Sequence, residues 1–193
     1  MTTKTLHWIT SSSTITDDAG TLVAHALDTN PIILAKQGLD QHTNSTIIIP
    51  CGHHTPTDPE PSAERLKQWS QDSWEPFNTA IETLKTQAQS TNTQLVILPG
   101  AGGRLSDAIC TLSWAATHPD IPLLIDPIRW LTPSMMPDLT DHLIRSTSLC
   151  QELPNIWGVL IGSTPIDPDG LITPELIDQT IRTIPTTRTI ECK

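Results

Sequence analysis

Basic residues are scarce in this chain of 193 residues: 11 Lys and Arg stand against 21 Asp and Glu, a formal net charge of −10. Affinity for phosphate backbones comes mainly from Lys and Arg, so this balance argues against a nucleic-acid partner. No apolar run approaches the roughly 20 residues that span a bilayer, and residues 1–10 lack the apolar core of a signal peptide. The expectation is an acidic cytoplasmic protein with no membrane partner. Cysteine is thin as well. Cys51, Cys110, Cys150 and Cys192 lie far apart without a Cys-x-x-Cys pair, which removes a metal finger and predicts reduced thiols. Tyrosine is absent, and no repeat of fixed period is visible. The length is short of the about 250 residues of a complete eight-stranded α/β barrel, yet two domains would leave small cores. One α/β domain over residues 1–193 is expected.

What the chain does have is a series of short apolar runs with abrupt, chemically loaded endings. Leu95–Leu98 ends in Pro99-Gly100-Ala101-Gly102-Gly103-Arg104, and Leu123–Ile125 ends in Asp126-Pro127. Trp157–Ile161 ends in Gly162-Ser163, and Thr187–Ile190 ends in Glu191-Cys192. Leu6–Ile9 and Thr46–Ile49 read as earlier strands, the second β-branched through Ile47-Ile48-Ile49 and ending at Pro50. Pro31–Leu34 reads as a strand or, through Gln37, as a helical turn. Asp17-Asp18 ahead of Leu22, Val23, Ala26 and Leu27 reads as the start of a weak helix.

Helical patterns separate the later strands. Ser62 can cap a helix through Trp69, and Phe77, Ile81 and Leu84 mark a second one. Helices are further expected over Leu105–Ala116, Pro137–Leu149 and Pro174–Ile184. Leu105, Ile109 and Leu112 form a stripe assigned to the core, and Thr173-Pro174-Glu175 is a helix start with its cap. Such alternation predicts a parallel sheet covered on both faces, whose site lies at the carboxyl ends of the strands.

Four groups at those ends carry possible chemistry. The glycines Gly100, Gly102 and Gly103, with Arg104, either cradle a phosphate or carboxylate or simply make a tight strand-to-helix turn. They match neither a Walker loop nor the dinucleotide fingerprint. Asp126 either binds a divalent cation or a sugar hydroxyl, or caps the following turn with Arg129 as ion-pair partner. Glu191 is a ligand or a solvated acid near the end of the sequence. His53 and His54, in a Pro-rich loop at 50–62, are metal ligands and acid–base groups or loop surface. His7 is a weaker case, and His25, His118 and His142 fall on expected helices or their ends.

The segments Glu64–Trp69, Pro76–Ile81 and Leu95–Gly100, with Leu123–Asp126 and Arg188–Glu191, resemble the xylose-isomerase-like TIM barrels. That group contains sugar-phosphate isomerases and epimerases. The resemblance covers residues 45 to 193 and implies a parallel β/α barrel, here shortened to about seven strands. It implies a divalent metal (Mg, Mn or Zn) held by Asp126, Glu191 and His54, with His53 or a carboxylate moving a proton between sugar carbons. Arg104 and the glycines then hold a phosphate or acid group. The pattern departs from the family where no Glu-ending strand stands between Gly100 and Leu123, and where Trp157–Ile161 ends in Gly-Ser. Two alternatives follow: a catalytically degenerate barrel used for binding or assembly, with Trp69 and Trp74 as a partner surface, or an open doubly wound, flavodoxin-like domain for a phosphorylated ligand. A small carbohydrate ligand and a homo-oligomer complete the expectation.

Overall fold

Ile47-Ile48-Ile49 and Leu95-Val96-Ile97-Leu98 are too apolar for strands with one wet face, and the structure covers them on both. All of these residues are buried, as are Leu123, Leu124 and Ile125. Continuous burial of this kind belongs to parallel sheets clothed on both sides. The computed structural model describes residues 2–6, 13–16, 22–26, 31–39, 45–51, 70–161, 173–182, 184 and 188–192.

Eight strands form one sheet: β1 (Thr2–Leu6), β2 (Ser13–Thr16), β3 (Leu22–Ala26), β4 (Thr46–Pro50), β5 (Gln94–Leu98), β6 (Leu123–Ile125), β7 (Ile156–Ile161) and β8 (Arg188–Cys192). Their order is β1-β8-β7-β6-β5-β4-β3-β2. Every neighbouring pair is parallel except β2 and β3. The first and last strands are hydrogen-bonded, with Thr2 opposite Arg188 and Leu6 opposite Cys192. No ladder joins β1 to β2 among the described residues.

The α-helices are α1 (Pro31–Gln37), α2 (Gln71–Ser90), α3 (Ala108–Thr117), α4 (Leu139–Cys150) and α5 (Pro174–Ile181). Two 3₁₀ turns, Pro127–Trp130 and Pro133–Asp138, fill the stretch between β6 and α4. The Phe77, Ile81 and Leu84 stripe of α2 is buried as its spacing predicts. Across from it, Trp114 of α3 packs on Phe77 at 6.1 Å between ring centroids and donates its Nε1–H to Asn78 Oδ1 at 3.0 Å. Thr173 caps α5 by accepting the Leu176 N–H at 3.2 Å, with Pro174 and Glu175 in the first turn.

Several expectations are corrected. The described residues hold eight strands, not about seven: Ser13–Thr16 is an unexpected strand, and Leu22–Ala26, where the sequence predicts a weak helix, pairs antiparallel with it, while Pro31–Leu34 is not a strand. Five residues are too few to separate the two periodicities, and tertiary pairing decides. His25 therefore lies on a strand. Pro31–Gln37 is helical throughout, with Pro31 at its first position, where the missing N–H costs no bond.

Helix α3 begins at Ala108, not Leu105, so the buried face is Ala108, Thr111, Trp114 and Ala115, while Ile109 is 65% exposed. Trp74 is partly buried against the core and edge-on to Phe77, so core packing accounts for its place. His118 stacks on Trp114 at 4.3 Å, a structural role. The 7–9 part of the expected first strand, the 52–62 part of the Pro-rich loop and the helix through Trp69 lie outside the described residues. Among the described residues no helix is long and apolar enough to cross a membrane.

Candidate functional site

Three consecutive parallel strands, β4, β5 and β6, end side by side and deliver Cys51, Gly100 and Asp126 to one rim. Cys51 continues the ladder, its N–H donating to Leu98 C=O at 2.8 Å. Beyond β5 the chain folds back on itself. Gly100 N–H donates to Leu105 C=O at 3.1 Å, and Ala101 N–H donates to Arg129 C=O at 2.7 Å. Trp130 reaches the same Leu105 carbonyl with its Nε1–H at 3.3 Å. The glycine loop after β5 and the 3₁₀ turn after β6 are thus stitched into one unit.

That stitching changes the anion cradle expected at Gly100–Arg104. The N–H groups of Gly100 and Ala101 are already used within the chain. Gly102, with φ 78°, takes the left-handed conformation that glycine adopts without strain, and Gly103 is half-buried. The next helix starts only after Asp107, whose side chain caps it through the Cys110 N–H at 2.7 Å. What the loop presents is therefore a side chain. Arg104 donates from Nε to Ser73 C=O at 2.6 Å, and its guanidinium carbon lies 5.5 Å from the Phe77 ring centre. Burial pulls its pKa below the ordinary guanidinium value, with Cys51 acting in the opposite sense.

Asp126 resolves the choice left open by its sequence in favour of a cap. Its Oδ1 accepts the Ile128 N–H at 3.1 Å, and its C=O accepts the Arg129 N–H at 3.1 Å. Asp followed by Pro at the first helical position is the local chemistry of such a turn. The carboxyl is buried, and burial pushes its pKa up to about 6 despite Arg129 and the two backbone N–H groups, which lower it. Desolvation outweighs the neighbouring cation.

Arg129, which the sequence singles out only as a partner for Asp126, is the residue whose place at the rim was least expected. It is 8% exposed and lies against Gly100. It also acts on Cys51, where the field of Arg129, then of Arg104, opposes burial. Burial wins, and the Cys51 thiol is pushed up to about 12. Cys51 is therefore a neutral thiol near two guanidiniums and not a nucleophile.

Glu191 lies inside β8, opposite Ile161 of β7 and Thr5 of β1, not beyond the strand end. His53 and His54 lie outside the described residues. Among the described residues no three His, Cys, Asp or Glu side chains are grouped to hold a metal ion. Among the described residues the rim's one carboxylate is buried and caps a turn, so the described residues by themselves form no divalent-cation site. Comparisons of the chain with protein-family models, with curated proteins and with solved structures return no match.

Proposed function

We propose that this protein binds a small anionic carbohydrate, a sugar phosphate or sugar acid, at the carboxyl ends of β4, β5 and β6. The observation that carries the proposal is a local inversion of charge. In a chain of formal net charge −10, Arg104 and Arg129 both act on Cys51 at this rim. Among the described residues the two guanidiniums outnumber the one carboxylate at the rim, Asp126, because Asp107 is turned to the start of α3. Guanidiniums with restricted access to water bind phosphate and carboxylate oxygens through paired, charge-assisted hydrogen bonds.

In this reading the sheet closes as a β/α barrel of the TIM type. Its support is the strand order, which runs once around from β1 through β8 to β2 without the reversal of a doubly wound sheet. The sugar part rests on the resemblance to the xylose-isomerase-like barrels. In this reading the role is binding without turnover: among the described residues the rim groups no metal-ligand set, its cysteine is a thiol, and its carboxylate caps a turn.

Calorimetric titration with glucose 6-phosphate, gluconate and neutral glucose tests the proposal. The two anions bind and glucose does not. Binding weakens with salt, and Arg104→Met and Arg129→Met each lower affinity by about tenfold, as expected for loss of a charged hydrogen bond. Anion binding that neither substitution alters, or no binding at all, refutes the site. Incorporation of solvent deuterium into the sugar phosphate refutes the non-catalytic part alone and restores isomerase chemistry.

A further inference from the structure

Glycine at position 100 is not needed for its backbone. Among the described glycines, positive φ occurs at Gly38 and Gly102, and Gly100 is not one of them. What a side chain there would meet is more informative. A Cβ on Gly100 would lie 3.1 Å from Arg129 Nε, 3.5 Å from Arg129 Cβ and 3.7 Å from Arg129 Nη2. The three nearest atoms all belong to one side chain. Gly100 is thus the seat on which Arg129 lies, and its missing Cβ sets how closely the guanidinium approaches the end of β5.

The backbone of Arg129 is fixed from two sides as well. Its N–H donates to Asp126 C=O, and its C=O accepts from Ala101 N–H, the residue next to the seat. Asp126 Oδ1 closes the same turn through Ile128 N–H. Side chain and main chain of Arg129 are therefore referenced to the ends of two adjacent strands, β5 and β6.

We propose that Gly100 and the Asp126-capped turn are the positioning device of the anion site, holding the Arg129 guanidinium at the rim for its ligand. This rests on the anion-binding reading above. Gly100 and Asp126 touch Arg129 and not the ligand, so both are positioning residues. A guanidinium that is already placed loses little freedom when an anion binds, which is where such a device raises affinity.

The test is a double-substitution cycle read by calorimetry with inorganic phosphate as the probe. Gly100→Ala keeps its thermal melting curve, because only a side chain has to yield, and binds phosphate on the order of fivefold more weakly. In an Arg129→Met background the same change has no further effect on affinity. Asp126→Asn, which retains a capping oxygen, keeps phosphate affinity, whereas Asp126→Ala lowers it. If Gly100→Ala binds phosphate as the unmodified protein does, or loses as much with Arg129 absent, the positioning role is wrong while the anion site stands. If the unmodified protein takes up neither inorganic phosphate nor glucose 6-phosphate, both proposals fall together.

Discussion

The two ends of the central strands carry polar groups of opposite character. At the carboxyl ends of β4–β6, Cys51, Asp126 and Arg129 are buried, and their charges and protons are coupled across three elements. At the amino ends the polar groups are mostly wet and locally satisfied. Gln94 Oε1 accepts from Thr46 Oγ1 at 3.4 Å and from Trp157 Nε1 at 3.0 Å. Lys85 pairs with Asp120 at 2.5 Å beside a recess of about 210 Å³. One sheet thus holds a costly rim and a cheap one. Desolvated charge is gathered at one rim and avoided at the other.

Four measurements break or sharpen that contrast. The largest effect is expected for Arg129→Met, which leaves Asp126 buried without its cation. Urea unfolding at pH 8 should show a loss of about 3 kcal/mol. The loss should shrink toward pH 4, where Asp126 is protonated.

Next comes the pH dependence of the unmodified protein. The Asp126 pKa is raised from 3.8 to about 6, so its contribution is fully present below the unfolded value and is lost as pH rises through the folded one. Stability should fall by about 2–3 kcal/mol between pH 4 and pH 8 on this account. Asp126→Asn should flatten that slope in denaturation curves taken across the range. A slope unchanged by the substitution would remove the buried carboxyl as its source.

The amino-end rim should respond far less. Gln94→Ala removes the acceptor of Trp157 and Thr46 and should cost about 0.5–1 kcal/mol in thermal melting. Lys85→Met should cost at most about 0.5 kcal/mol, since its ion pair is exposed to solvent and screened by salt. If Lys85→Met matches Arg129→Met, the two rims are energetically alike and the contrast fails.

The strands β4, β5 and β6 were legible because β-branched or leucine-rich runs end at Pro or Asp, and burial on both faces follows from their uniform apolarity. The α5 cap was legible for the same reason: Thr-Pro-Glu carries a single local meaning. Residues 13–37 were not. Leu22–Ala26 and Pro31–Gln37 each fit two periodicities over a handful of residues, and pairing with β4 or packing on α2 decided between them. At the site, Asp126-Pro127 already contained the signature of a capped turn, but the same aspartate also suits a metal at a strand end. The burial of Arg129 against Gly100 had no local signal, because the two residues follow different strands and meet only when β5 and β6 lie side by side.

The ladder between β1 and β8 has a consequence for the order of assembly. Its two strands are separated by nearly the whole chain, so every other parallel pairing except that of β7 with β8 is available during synthesis before this one. Until residues 188–192 leave the ribosome, β1 and β7 each present an unsatisfied edge, the kind of surface on which nascent chains recruit one another. Contacts this distant in sequence are also the slowest to form. Residues 188–192 are the segment that links β1 to β7, and before they are made those two edges stay exposed to aggregation and to chaperones.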